Sequence, residues 1–101
     1  MPIDRITMFK IPSEEGISIT LDEYKDMMET AKKDGEPYIL ASKAYKLYSD
    51  PRSQGFTVAA RSTFKSVEDM KYYDEACERH AALKKVVGPQ AQGMMMIYMD
   101  E

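Results

Sequence analysis

The stretch FTVAARSTFKSVEDM, residues 56–70, changes its pattern part-way, and the change decides the fold. Residues 56–64 carry the β-branched and aromatic types of a strand. Ser66 then stands three residues before Asp69, the spacing at which a hydroxyl and a carboxylate satisfy the orphan N–H groups of a helix start. A strand therefore gives way to a helical region that runs to about Val87.

Working upstream, SDPRSQG (49–55) is a turn cluster that joins this strand to another, YILASKAYK (38–46). Before it, Thr20 and Glu23 form a second capping box. The helix that follows carries Leu21, Tyr24, Met28 and Ala31 at helical spacing. Lys32, Lys33, Asp34 and Gly35 suit its end, where lysines oppose the dipole and glycine permits a left-handed exit; Pro37 prevents continuation. Pro12 to Gly16 reads as a polar turn, and residues 3–11, IDRITMFKI, as a first strand buried on both faces. Downstream, Gly88 and Pro89 make a turn before a last strand, GMMMIYM (93–99).

The order β-α-β-β-α-β is the split βαβ, ferredoxin-like arrangement: an α+β domain spanning 1–101, with a four-stranded antiparallel sheet carrying both helices on one face. Its far face carries Met, Tyr and Ile side chains, which a second copy would bury. Patterning alone thus implies a homodimer. The run Met94, Met95 and Met96 fits a strand with one face in the subunit core and one in that interface.

Within the long helical region the apolar stripe changes direction. Val67, Met70, Tyr73 and Cys77 cluster on one side, and Leu83, Val86 and Val87 well over a quarter-turn away. One straight helix cannot bury both sets against one sheet. Two short helices with a joint around Glu78 to Ala81 resolve this and place His80 at the joint.

Composition narrows the function. The 101 residues are 44% hydrophobic and 31% charged, with seven Tyr, three Phe and no Trp, which describes a globular chain. A net charge of −3 supplies no basic field for nucleic acid or anionic membranes. No stretch approaches the ~18 apolar residues of a membrane helix. The single Cys77 cannot form an internal disulfide, and MPIDRITMFK interleaves charges where a signal peptide needs an apolar run. The expected setting is therefore reducing and cytoplasmic. Phosphate-binding glycine loops and Ser-His-Asp spacing are absent, and Cys77 with His80 lacks the further ligands of a closed metal site.

The opening ITMFK, the Gly55-Phe56-Thr57 step, the run Ser62, Thr63, Phe64 and Ser66, and the following Met70 and Tyr73 with a histidine shortly after together resemble the stress-responsive A/B barrel domain, the Dabb or dimeric α+β barrel family. The resemblance covers nearly the whole chain, and its texture is similar to small fungal members. It implies a homodimer whose sheets pack face to face, with a pocket in each subunit between sheet and helices. The family includes plant stress proteins and olivetolic acid cyclase, a cofactor-free enzyme that cyclises a linear polyketide thioester with a His and a Tyr. Those two residues map onto His80, after one inserted residue, and Tyr73. Many relatives carry H-P-x-H where this chain has Cys77, Glu78, Arg79 and His80, so one histidine is kept. Arg5 stands where the cyclase has a pocket histidine.

The resemblance thus implies cofactor-independent acid/base chemistry of secondary metabolism: cyclisation, isomerisation or dehydration of a polyketide-like, enolisable, hydrophobic or aromatic substrate. His80 would move protons, Tyr73 would hydrogen-bond the oxyanion, and Arg5 would anchor an acidic group. Thr7, Phe9, Tyr24 and Met28 would bind substrate from the first strand and helix. Ser62, Val67, Met70 and Asp74 would do so from the other side. Each has a plainer reading: His80 and Asp74 as solvated helix residues, Tyr73 and Tyr24 as core, Arg5 as half of an ion pair. The competing function is a non-catalytic dimeric stress protein or hydrophobic-ligand carrier. Cys77, on the buried stripe, reads as an inert small hydrophobe.

Overall fold

The computed structural model describes residues 1–101. Strand β1 (Ile3–Lys10) leads into helix α1 (Glu14–Tyr24), a one-turn helix α2 (Met27–Thr30) and a small hairpin of β2 (Lys32–Lys33) and β3 (Glu36–Pro37). Then come β4 (Ile39–Lys46), β5 (Val58–Phe64), helices α3 (Val67–Glu75) and α4 (Glu78–Val87), and β6 (Gly93–Asp100). The long strands form one antiparallel sheet in the order β4-β5-β1-β6. This is the ferredoxin-like α+β fold. Ile3, Phe9, Val58 and Phe64 of the sheet share the core with Ile17 and Tyr24 of α1, Met70 and Tyr73 of α3, and Leu83 and Val87 of α4.

Three boundaries differ from expectation. Helix α1 begins six residues before Thr20, because Ser13 is the true cap: its Oγ accepts from Gly16 N–H at 2.9 Å, with Glu14 and Glu15 against the positive end of the dipole. Thr20 is fully buried mid-helix and its hydroxyl donates to the Gly16 carbonyl at 2.8 Å. Gly16 is required by packing, since a Cβ there would lie 2.8 Å from Ile11 Cγ2.

Lys32 and Lys33 lie in the β2–β3 hairpin and not at a helix end. Its turn puts Asp34 and Gly35 at φ 53° and 80°, the left-handed pair that a tight hairpin needs. Lys33 Nζ reaches the buried Asp69 carboxylate at 2.7 Å and ties the hairpin to the start of α3.

The joint in the helical region falls at Ala76 and Cys77, earlier than expected. Ala76 and Cys77 N–H both donate to the Tyr72 carbonyl, at 2.8 and 3.0 Å, and Cys77 turns extended before α4. His80 is therefore the third residue of α4. Arg79 beside it clamps α4 to α1 by donating to the Glu23 carbonyl at 2.7 Å.

On the outer face of the sheet, Ile6 and Met8 of β1 lie opposite Ile97 and Met95 of β6. Met95, Ile97 and Met99 are exposed, as is Tyr45 on β4. No helix of the chain is long and apolar enough to cross a membrane.

Candidate active site

One end of the space between the β1–β6 half of the sheet and α4 is open as a cavity of about 680 Å³, within the ~300–1,000 Å³ usual for small-molecule sites. Arg5, Thr7 and Phe9 form one wall, because alternate residues of β1 share a face. His80, Leu83, Lys84 and Val87 form another, at the i, i+3, i+4, i+7 spacing of one helix face. Tyr24, Asp74, Met94 and Met96 complete the sides.

His80 is held from two directions. Its ring stacks on that of Tyr73, centroids 3.7 Å apart and planes 12° from parallel. Its Nδ1 lies 2.8 Å from the Tyr73 backbone carbonyl. A carbonyl only accepts, so Nδ1 carries the hydrogen and Nε2 keeps its lone pair. Nε2 makes no hydrogen bond and is not among the sealed unpaired atoms, so it opens on the cavity. Burial pushes the imidazole pKa down to about 4; Arg5 and Lys84 push the same way, while the carbonyl bond and Asp74 oppose. His80 is thus neutral at pH 7, and the 3.9 Å approach of Asp74 Oδ1 to Nδ1 is no ion pair.

Arg5 has a side chain only 8% exposed. Its Nη1 donates to both oxygens of Asp74, at 2.7 and 2.6 Å. Nε makes a long 3.4 Å contact to Thr7 Oγ1, and Nη2 makes none. Tyr24 hydroxyl is likewise unpartnered but not sealed. Burial holds its pKa up at about 12 against the pull of Arg5, so it is a protonated donor at neutral pH.

The expected site residues separate into two groups. Arg5, Thr7, Phe9, Tyr24, Asp74 and His80 meet at the cavity. Tyr73 lies behind the imidazole: its hydroxyl is fully buried without a partner, and burial raises its pKa further than that of Tyr24. Met28 and Val67 do not line the cavity; they are 39% and 38% exposed, on α2 and at the start of α3. Met70 is core packing. Ser62 pairs across from Arg5, but on the β5 side, where it contacts Ser42 Oγ at 3.5 Å. Leu83, Lys84, Val87, Met94 and Met96 were missed as site residues. The helical repeat from His80 carried the signal for the first three. No cluster of three or more His, Cys, Asp or Glu side chains is arranged to hold a metal ion.

A ferredoxin-like sheet with a half-apolar cavity kept under its own helices defines a class of small α+β proteins, ligand-binding or enzymatic. The chain belongs to the Stress responsive A/B Barrel Domain family, Dabb, whose model matches residues 3–99. It is 37% identical over 97 residues to a Fusaristatin A biosynthesis cluster protein of Gibberella zeae, covering 95% of this chain and 70% of that one. Its fold is similar to that of a hydroxynitrile lyase from Passiflora edulis, with a TM-score of 0.77 at 19% identity, over 97% of this chain and 91% of that one. A dimeric protein of unknown function and ferredoxin-like fold from Bacteroides fragilis matches with a TM-score of 0.78 at 15% identity, over 99% and 96% of the two chains.

Proposed function

We propose that this protein is a cofactor-independent acid/base enzyme of fungal secondary metabolism, acting on an apolar, enolisable, polyketide-like substrate by cyclisation, isomerisation or dehydration. The observation that carries the reading is His80 itself: a neutral imidazole with Nδ1–H tied to a carbonyl and Nε2 open on a half-apolar cavity. In this reading Nε2 removes a proton from a carbon beside a carbonyl, and the Tyr24 hydroxyl donates to the enolate oxygen as charge develops. Tyr24 takes the part that the resemblance gave to Tyr73. Arg5 anchors an acidic group and offsets negative charge. The relative in a Gibberella zeae biosynthesis cluster supports a biosynthetic role.

The low pKa of His80 favours a second reading. A base with a pKa of about 4 is weaker by about 3 kcal/mol than an ordinary histidine, which suits a carrier of hydrophobic ligands as well as a catalyst. Deuterium exchange at the central carbon of a long-chain 1,3-diketone, followed by NMR, separates the two. The enzyme reading requires exchange accelerated at least ~100-fold over buffer, the low end for a positioned base. Tight binding with exchange at the buffer rate leaves the carrier.

The apolar outer face supports a homodimer in which Ile97, Met95 and Met99 meet a second copy. Light scattering at micromolar concentration should give twice the chain mass; a monomer mass would remove the proposal.

A further inference from the structure

The cavity is polarised along β1. Arg5, Asp74, His80 and Lys84 stand at one end; Phe9, Val87, Gly88, Ala91 and Met94 stand at the other. Arg5 and Phe9 are four residues apart on a strand, so the two ends are separated by about 14 Å. A ligand filling this space is amphiphilic, with its polar group against Arg5.

The state of that arginine says which polar group. A guanidinium offers five N–H donors, and Asp74 draws on Nη1 alone. Nη2 has no partner, and Nε has only the 3.4 Å contact to Thr7 Oγ1. Nη2 is unpaired but not sealed, so it opens on the cavity that Arg5 lines. Nε–H and Nη2–H point the same way from the guanidinium plane edge and match the two oxygens of a carboxylate. A neutral carbonyl could take one of these donors and would leave the other unmet in a mostly buried place. The charge balance agrees: Arg5 and Lys84 face a single carboxylate, Asp74, with His80 neutral.

We infer that the ligand of this cavity is a free acid with an apolar chain, its carboxylate seated on the Nε–Nη2 edge of Arg5, while Asp74 stays on Nη1 as the resident counter-ion. This rests on the cavity being the functional site proposed above and narrows its substrate to free acids in preference to esters, thioesters or alcohols. Asp74 then has a purpose a simple ion pair lacks. It holds the guanidinium with its other edge turned to the ligand.

The test is calorimetric binding of three probes of one chain length, decanoate, methyl decanoate and 1-decanol, to the full chain near pH 7.5. Decanoate should bind at least tenfold more tightly than either neutral probe. In Arg5→Lys, which keeps the charge and loses the fork, the preference should fall below threefold. Equal or tighter binding of the methyl ester to the wild type overturns the inference, and this comparison needs no variant to fold. A tenfold preference kept in Arg5→Lys also overturns it, by placing the acid elsewhere in the positive end. The diketone exchange assay fails or succeeds separately: exchange without acid preference removes only this inference, and acid preference with the diketone bound but exchanging at the buffer rate removes only the enzyme.

Discussion

Replacing Tyr73 with Phe removes one oxygen and nothing else, and its consequence follows from where that oxygen sits. The Tyr73 hydroxyl is fully buried with no hydrogen-bond partner, while the ring beneath His80 and the backbone carbonyl that fixes Nδ1 are both retained. Leaving a buried hydroxyl unpaired costs about 1–3 kcal/mol, so Tyr73→Phe should be as stable as the wild type or more stable by about 1 kcal/mol. Diketone exchange should stay within about threefold. Tyr73→Ala differs in kind, because it deletes the ring against which His80 and Phe64 pack; a loss of about 3–5 kcal/mol is expected for a buried aromatic truncation. Urea unfolding gives the stabilities and NMR gives the exchange rates. A hundredfold loss of exchange in a Tyr73→Phe protein of unchanged stability would return the phenol of Tyr73 to the mechanism.

Tyr24→Phe should instead reduce exchange tenfold or more with a small change in urea midpoint, since its hydroxyl opens on the cavity; unchanged exchange removes it as donor. The folded-state pKa of His80, about 4, lies below the ordinary 6.5, so the unfolded chain binds the extra proton between these values and stability rises with pH across that window. The contribution, up to about 3 kcal/mol, is complete above pH 6.5 and lost as pH falls toward 4; urea midpoints from pH 4 to 7 should flatten in His80→Gln. Asp74→Asn leaves the Arg5 charge nearly buried without its partner and should cost about 2 kcal/mol, below the ~3–5 of a fully buried pair because Asp74 is partly exposed, again read from urea unfolding. Ile97→Lys on the outer face should give a monomer mass by light scattering, and a persisting dimer would move the interface elsewhere.

The order of elements was readable because strand composition and the Ser66 cap are local signals, and the family resemblance pointed the same way. The errors were contests between equally good local signals. Thr20 with Glu23 reads as a helix start and Ser13 as part of a turn, yet serine caps as well as threonine; the full burial of Thr20 and the Gly16 N–H bond to Ser13 Oγ show that Ser13 is the cap. Lys32 to Gly35 suits a helix end and a hairpin turn alike, and the tie from Lys33 to Asp69, thirty-six residues on, decided it.

The site divided along the same line. His80, Arg5, Thr7, Phe9 and Tyr24 come together at one cavity because a strand alternates and a helix repeats. Met28, Val67, Met70 and Ser62 lie away from it because the cavity occupies only the β1–β6 half of the sheet, and strand order across a sheet is a tertiary fact. In an unbroken helix Tyr73 and His80 would stand about 10 Å apart. The break at Cys77 folds the next turn back until the two rings stack.

The central claim is that the Nε2 atom of His80 is the working base. Diketone exchange measured side by side in wild type and His80→Ala, with thermal unfolding and mass recorded for both, tests it most directly. Exchange should fall at least a hundredfold in a variant that remains folded. Exchange at the wild-type rate in folded His80→Ala protein would contradict it.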